Sequence, residues 1–248
     1  MTLATTLQTL AHQAPPLAIF AVASLGFVAI YFGLGGLSVW LTRSVLPARG
    51  LGRVIDPRPL AKHQVRREVA SSLVSILLFG VYGALTIWMD ARGWVRIVWS
   101  FAPLRGALDV LFLVAWNELH FYACHRLLHT RWLFRHVHKV HHRAVVPTPW
   151  STYAFHPVEA ALLGSVMITA LLLHDLSIIA VLVYPVVSLA MNCLGHLNYA
   201  LWEDRPVGKL LAASVRHSQH HHKVKGNYGF LIPQLDAVLS TAFPPESR

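Results

Sequence analysis

Cysteine is nearly absent from this chain, and acid is scarce beside its basic residues. Cys124 and Cys193 are the only cysteines among 248 residues, too few for a disulfide framework or a cysteine-rich zinc module. Both fall in or beside apolar segments, so each is expected to be a buried structural thiol. Acidic residues number 11 against 21 Lys and Arg, and charged residues make up 13% of the chain. Soluble globular domains carry about 25%, so an ordinary water-soluble surface is excluded. A hydrophobic content of 55% and a mean hydropathy of +0.50 point to a membrane protein. The basic residues sit in loops between apolar runs, which suits anionic lipid headgroups and not nucleic acid. A GxGxxG-type dinucleotide fingerprint is missing; Gly33-Leu-Gly-Gly lies inside an apolar run and reads as helix packing. Residues 1–16 hold no Lys or Arg, so they lack a signal-peptide n-region, and the first apolar run is expected to stay as a membrane anchor.

Long apolar runs are what the chain has in abundance. A helix needs about 20 apolar residues to cross a bilayer, and Leu17–Leu41 and Val69–Met89 both meet that length. Gly106–Cys124 reads as a third span that leaves the membrane as it reaches His125. Ala160–Leu173 and Leu176–Leu194, separated by His174-Asp175, read as a helical hairpin dipping into or across the bilayer. The short aromatic stretch Trp94–Phe101 fits the interface. Residues 43–67 carry seven Lys and Arg against Asp56 alone, together with Pro47, Pro57 and Pro59. That composition predicts an irregular connector on the cytoplasmic side. Arg126, Arg131, Arg135, Lys139 and Arg143 place residues 126–143 on the same side. The expected fold is all-α: an integral membrane helical bundle of about four to five membrane segments with a cytoplasmic cap.

Histidine is the other excess, at 16 residues. Eight fall into three clusters: His125 and His129 as HxxxH, His138, His141 and His142 as HxxHH, and His217, His220 and His221 as HxxHH. Spacings of i, i+3 and i+4 put each cluster on one helical face, and the span count brings all three to one side of the membrane. Imidazole suits Zn, Cu and Fe. Eight rings are too many for one four-coordinate structural zinc, so two ions are expected. His196 lies inside an apolar run, where ionisable groups are costly and usually functional; it is read as a ninth ligand. His136 points away from its cluster, His222 extends the third, and His156, just before Pro157, reads as an ordering group more than a ligand. His120 reads as a helix-packing residue, and His12, His63 and His174 are isolated. Glu118, seven residues before His125 on the same face, is placed to accept the free N–H of a ligand histidine, and Glu159 is a second carboxylate near the clusters. Only Glu203 and Asp204 add to these. Dinuclear hydrolases typically need bridging carboxylates, so the scarcity of acid turns a two-metal reading toward redox iron. A zinc transporter or sensor, the rival reading, predicts ligands along a path near the bilayer midplane.

The ordered motifs Tyr122-Ala-Cys-His125-Arg126-Leu-Leu-His129, Leu133-Phe-Arg-His-Val-His138-Lys139-Val-His141-His142, Phe155-His156-Pro157-Val-Glu159, Gly195-His196-Leu-Asn198-Tyr199 and His217-Ser-Gln-His220-His221-His222-Lys-Val-Lys-Gly226-Asn227-Tyr228-Gly229 resemble the fatty acid hydroxylase (sterol desaturase) superfamily. The resemblance covers roughly residues 105–232. It implies an integral-membrane non-haem di-iron enzyme that uses O2 as co-substrate and two electrons to hydroxylate or desaturate a membrane lipid. It also implies that His125, His129, His138, His141, His142, His196, His217, His220 and His221 are the metal ligands, with zinc as a possible substitute for the two Fe ions in isolated protein. Ala200 stands where fatty acid 2-hydroxylase relatives carry a further histidine, which leaves a tenth position to His156 or water. Glu118 stands where many relatives carry Asp. A His-Pro-Gly-Gly haem signature is absent, so a separate electron donor, such as cytochrome b5 or a ferredoxin with its reductase, is expected. On this reading, residues 1–104 are the anchor helices and basic connector and residues 105–248 the catalytic region of one structural domain.

Overall fold

The computed structural model describes residues 2–202 and 212–243. Eleven α-helical segments are described. An amphipathic α1 (Leu3–Gln13) leads into α2 (Pro16–Trp40), which starts with Pro at its first turn, where the missing N–H costs nothing. The chain continues through a π-helical turn, Leu41–Val45, into α3 (Leu46–Ala48). From there to α4 the proline-rich basic connector holds only β1 (Arg53–Val54). Next come α4 (Gln64–Ala91), β2 (Ile97–Val98), α5 (Pro103–Leu128) and α6 (Arg131–His136). Two short apolar helices, α7 (Pro157–Gly164) and α8 (Val166–Leu171), precede β3 (Leu176–Ser177) and α9 (Ile178–Gly195). After β4 (Tyr199–Ala200) the described chain resumes with α10 (Ala213–Lys223) and α11 (Gln234–Val238).

Three of these stretches, Pro16–Ala48, Gln64–Ala91 and Ile178–Gly195, are long and apolar enough to cross a membrane, and the fold is an all-α membrane helical bundle. At 1.5 Å per residue, the 18 residues of α9 reach about 27 Å, close to the roughly 30 Å of a hydrocarbon core. The run Gly106–Cys124 forms most of α5, but it buries Asp109, Asn117 and Glu118, and these lower its apolar character below that of the other three. The run Ala160–Leu173 breaks at Ser165 into α7 and α8, too short for a span.

Close approach sets the packing of α2 on α4. A Cβ at Gly83 would lie 2.8 Å from that of Ala23, and one at Gly80 would overlap the Ser24 hydroxyl. In the glycine-rich part of α2, Gly35 meets the Trp150 ring whereas Gly33 and Gly36 face open space, so the packing role falls to one of the three. Tyr31, fully buried, donates to the Trp150 carbonyl at 2.7 Å. Around it, Ile76, Phe79, Tyr153, Phe155, Leu189 and Cys193 join α2, α4 and α9 in one apolar core. A second core, with Leu113, Leu176, Ile178 and Tyr184, closes the other end of the bundle. There β2 pairs in parallel with β3, so that residues 94–101 are tied down by a short ladder. The antiparallel pair β1–β4 fastens the basic connector to the chain just after α9. Leu17, Val22, Leu25, Leu77 and Val81 point outward, an apolar belt suited to lipid. Of the two cysteines, Cys193 is buried as expected and Cys124 only half so.

Candidate metal centre

The ends of α5 and α9, the segment after α6, and α10 meet at one end of the bundle, and they carry the histidines with them. Five rings, His125, His129, His138, His142 and His220, form one group, and four, His141, His196, His217 and His221, form another; within each, the candidate ligand nitrogens all lie within 4.8 Å of one another. All nine positions read from the sequence are therefore brought together, and eight of the nine are buried, with His129 half-buried. The second cluster forms a 3-10 helix, His138–Arg143. Its one face is divided: His138 and His142 turn to the five-ring group and His141 to the four-ring group. In α10 the division is reversed, with His217 and His221 in the four-ring group and His220 in the other. Each HxxHH thus gives an i, i+4 pair to one group and its i+3 ring to the neighbour.

Hydrogen bonds fix the tautomers. A carbonyl can only accept, so His125 donates from Nδ1 to Tyr228 O at 2.8 Å, His220 to Gly226 O at 2.7 Å and His196 to Asn192 O at 2.9 Å. His138 donates from Nδ1 to Glu159 Oε1 at 2.8 Å. With the proton on Nδ1, Nε2 of a neutral ring holds a bare lone pair. Yet the Nε2 atoms of His125 and His138 lie 3.1 Å apart, lone pair against lone pair. The His138–His142 and His142–His220 Nε2 pairs are also 3.1 Å apart, and one proton on His142 cannot relieve the first contact. In the four-ring group, Nε2 of His217 lies 3.0 Å from that of His196 and 3.1 Å from that of His221. A cation between the nitrogens relieves this repulsion, and two nitrogens bound at about 2.1 Å in neighbouring positions lie roughly 3 Å apart. His129 Nε2 is also buried without a hydrogen-bond partner. The donor set fits metal ions.

Protonation would be the other relief, and the surroundings oppose it. Burial, then the neighbouring rings, hold His125, His141, His142, His217 and His221 well below the ordinary imidazole range. Burial first, then His220 and His138, pushes His129 down to about 2. Burial also takes His220 to about 3 and His196 to about 4, each opposed by the carbonyl its Nδ1 holds. Glu159 is completely buried; burial raises its carboxyl and the His138 ring lowers it.

The remaining sequence candidates fall outside both groups. Glu118 does not meet a histidine: its carboxylate accepts from the backbone N–H groups of Leu231 and Ile232 at 3.0 and 3.5 Å. Helical phase put it on the His125 face, but seven residues is two turns, and the 226–232 segment fills the gap. His156 caps α7, its Nδ1 accepting from Val158 N–H, and joins neither group. His222 is exposed beside Arg58. His136 is exposed and bonded to the Trp132 carbonyl, and His120 bonds Ser165 between α5 and α7. Glu203 and Asp204 lie outside the described residues. Missed by the sequence reading were the carbonyls of Tyr228, Gly226 and Asn192, which carry no side-chain signal, and Asp236, whose carboxylate holds the N–H groups of Tyr228 and Gly229.

The chain is similar in sequence to several known proteins. The chain is 26% identical over 86% of its length to a Delta(7)-sterol 5(6)-desaturase of Leptosphaeria maculans, covering 58% of that protein. It is 28% identical over 82% of its length to a Delta(7)-sterol 5(6)-desaturase of Aspergillus fumigatus, covering 61%. A very-long-chain aldehyde decarbonylase of Oryza sativa is 29% identical over 54% of the chain, covering 52% of that protein. The chain therefore spans somewhat over half the length of these curated relatives. No solved structure matches it. The fatty acid hydroxylase family model matches residues 110–241, more than half of the chain and the whole stretch that carries the nine histidines. By that match the chain belongs to the fatty acid hydroxylase family.

Proposed function

We propose that this protein is a membrane-bound non-haem di-iron oxygenase that hydroxylates a lipid with O2 and two electrons. The observation that carries the reading is the pair of convergent Nε2 sets, five and four, at one end of a membrane bundle. His125, His129, His138, His142 and His220 would hold one iron and His141, His196, His217 and His221 the other. Bound there, the two ions would supply the redox chemistry that couples O2 reduction to oxidation of an unactivated C–H bond.

The protein's own residues set the conditions for that chemistry. Nδ1 contacts to carbonyls and to Glu159 orient four of the rings, His125, His138, His196 and His220, as outer partners of metal-bound histidines do. The core of Tyr31, Phe79, Tyr153 and Phe155 underlies the four-ring group, with Phe155 5.1 Å from His141, and keeps water out from below. A cavity of about 480 Å³ reaches His129 from the other side, with Arg126, Lys225 and Tyr228 in its wall. This opening and its basic rim suit delivery of electrons by a separate acidic donor such as cytochrome b5 or a ferredoxin. The basic connector 43–67 pairs through β1 with the chain just after α9, and by the positive-inside rule its charge supports a cytoplasmic site for the centre.

Desaturation at the same site is the second reading, favoured by the two relatives named as sterol desaturases. A zinc-handling role is disfavoured because the nine rings gather at one end of the bundle, around the C-terminal ends of α5 and α9, instead of lining a path through it. Lipid extracts of cells with and without the chain separate these readings. Gain of one oxygen supports hydroxylation, loss of two hydrogens supports desaturation, and no lipid change under aerobic, iron-replete growth counts against both.

A further inference from the structure

Segment 226–232 crosses the mouth of the five-ring group as a strap. Its carbonyls at Gly226 and Tyr228 orient His220 and His125, both in that group, whereas His196 of the other group is oriented by its own helix through Asn192 O. Gly226 adopts φ +101, and a Cβ there would lie 2.9 Å from Thr241 O, so the turn that offers its carbonyl needs glycine. Two buried carboxylates hold the strap in turn. Glu118 takes the N–H groups of Leu231 and Ile232. Asp236, 3% exposed in α11, takes those of Tyr228 and Gly229 at 2.7 Å each, and its Oδ1 also accepts from the Thr241 hydroxyl.

One peptide unit makes this more than a staple. The C=O of Tyr228 and the N–H of Gly229 belong to the same amide. Asp236 Oδ2 accepts from its N–H end while His125 donates to its O end. A carboxylate on the N–H polarises the amide and makes its oxygen a stronger acceptor. We propose that Asp236 is a positioning residue for the five-ring centre, acting on His125 through the Tyr228–Gly229 peptide, with Glu118 fixing the far end of the strap. The relay gives His125 the carboxylate support that Glu159 gives His138 directly. This inference rests on the metal-binding reading above.

The test loads full-length protein in detergent with Fe(II) without O2, dialyses it against a chelator, and reads iron per chain and the Mössbauer spectrum. Wild type is expected to keep about two irons. Asp236→Asn puts an amide N–H against one of the two backbone donors and is expected to weaken one site about 10–100-fold, leaving about one iron and one of two doublets. Gly229→Ala provides a second route if that variant does not fold. Its Cβ would lie 2.8 Å from Asp236 Oδ2, so it displaces the carboxylate while keeping the charge, and the same loss is expected. Thr241→Val removes the third partner of Asp236 but leaves the relay, and is expected to keep two irons. Two irons with an unchanged spectrum in Asp236→Asn or Gly229→Ala overturns the inference, as does equal loss in Thr241→Val. Failure of wild type to bind iron overturns the metal reading itself.

Discussion

Four of the nine candidate ligand histidines have Nδ1 held by a hydrogen-bond acceptor, which leaves Nε2 free for a metal ion. Glu159 is the acceptor for His138 from complete burial, and the carbonyls of Tyr228, Gly226 and Asn192 are the acceptors for His125, His220 and His196. Glu159→Ala removes the acceptor and leaves the His138 N–H buried without a partner. The expected result is a roughly 10–100-fold loss of metal affinity at the five-ring group, measured by chelator competition, with secondary structure retained in circular dichroism. At this scale the sequence was informative about which histidines take part and silent about what orients them. HxxxH and HxxHH spacings report a shared face directly, so the clusters were legible. A backbone carbonyl has no residue identity, so the partners of His125, His220 and His196 were not. Glu118 shows the limit of helical phase: it is on the expected face, yet its oxygens meet Leu231 and Ile232 because a segment distant in sequence occupies the space.

The 3-10 helix His138–Arg143 and α10 face each other and exchange one ring each. His141 crosses to the four-ring group and His220 to the five-ring group. Nothing in an HxxHH motif says which of its rings crosses, since the choice depends on where the other helix stands. A grouping by motif would put His141 and His142 on one ion; the structure separates them. His141→Ala and His217→Ala are therefore expected to deplete the same iron signal in Mössbauer spectra, and His142→Ala the other. Depletion of one common signal by His141→Ala and His142→Ala would contradict the division. The spans were legible for a simpler reason. Apolar runs such as Leu17–Leu41 and Leu176–Leu194 need no partner to identify them, and α2 and α9 follow them closely. The exception, Gly106–Cys124, carries Asp109, Asn117 and Glu118 inward, a consequence of packing that hydropathy alone does not locate. A related prediction concerns α2 on α4: Gly80→Leu is expected to force the helices apart and lower the thermal midpoint in detergent, while Gly36→Leu, facing open space, leaves it unchanged.

Across the whole molecule, the cap stores a large acid sensitivity. Eight of the nine rings have folded pKa values below the ordinary 6.5, with His196 at about 4, His220 at about 3 and His129 at about 2. Above 6.5 both folded and unfolded chains hold these rings neutral, and the stability is fully present. As pH falls below 6.5 the unfolded chain binds protons that the folded chain refuses, so stability drops continuously toward the folded values. Bound metal acts in the same direction, since protons compete with it for the same nitrogens. Thermal unfolding in detergent between pH 8 and 4 is expected to be level at the alkaline end and to fall steeply below about 6.5, with metal released over the same range. A midpoint that stays level to pH 4 would count against buried neutral rings.

On the proposed reading, nine histidines hold two redox ions in separate five- and four-ring sites. Iron per chain in protein isolated without O2, followed by Mössbauer spectroscopy before and after O2 and lipid are admitted, tests it most directly. About two irons in two distinguishable environments are expected, both oxidised as lipid product forms. One iron per chain, or zinc alone in iron-replete preparations with no lipid oxidised, would contradict it.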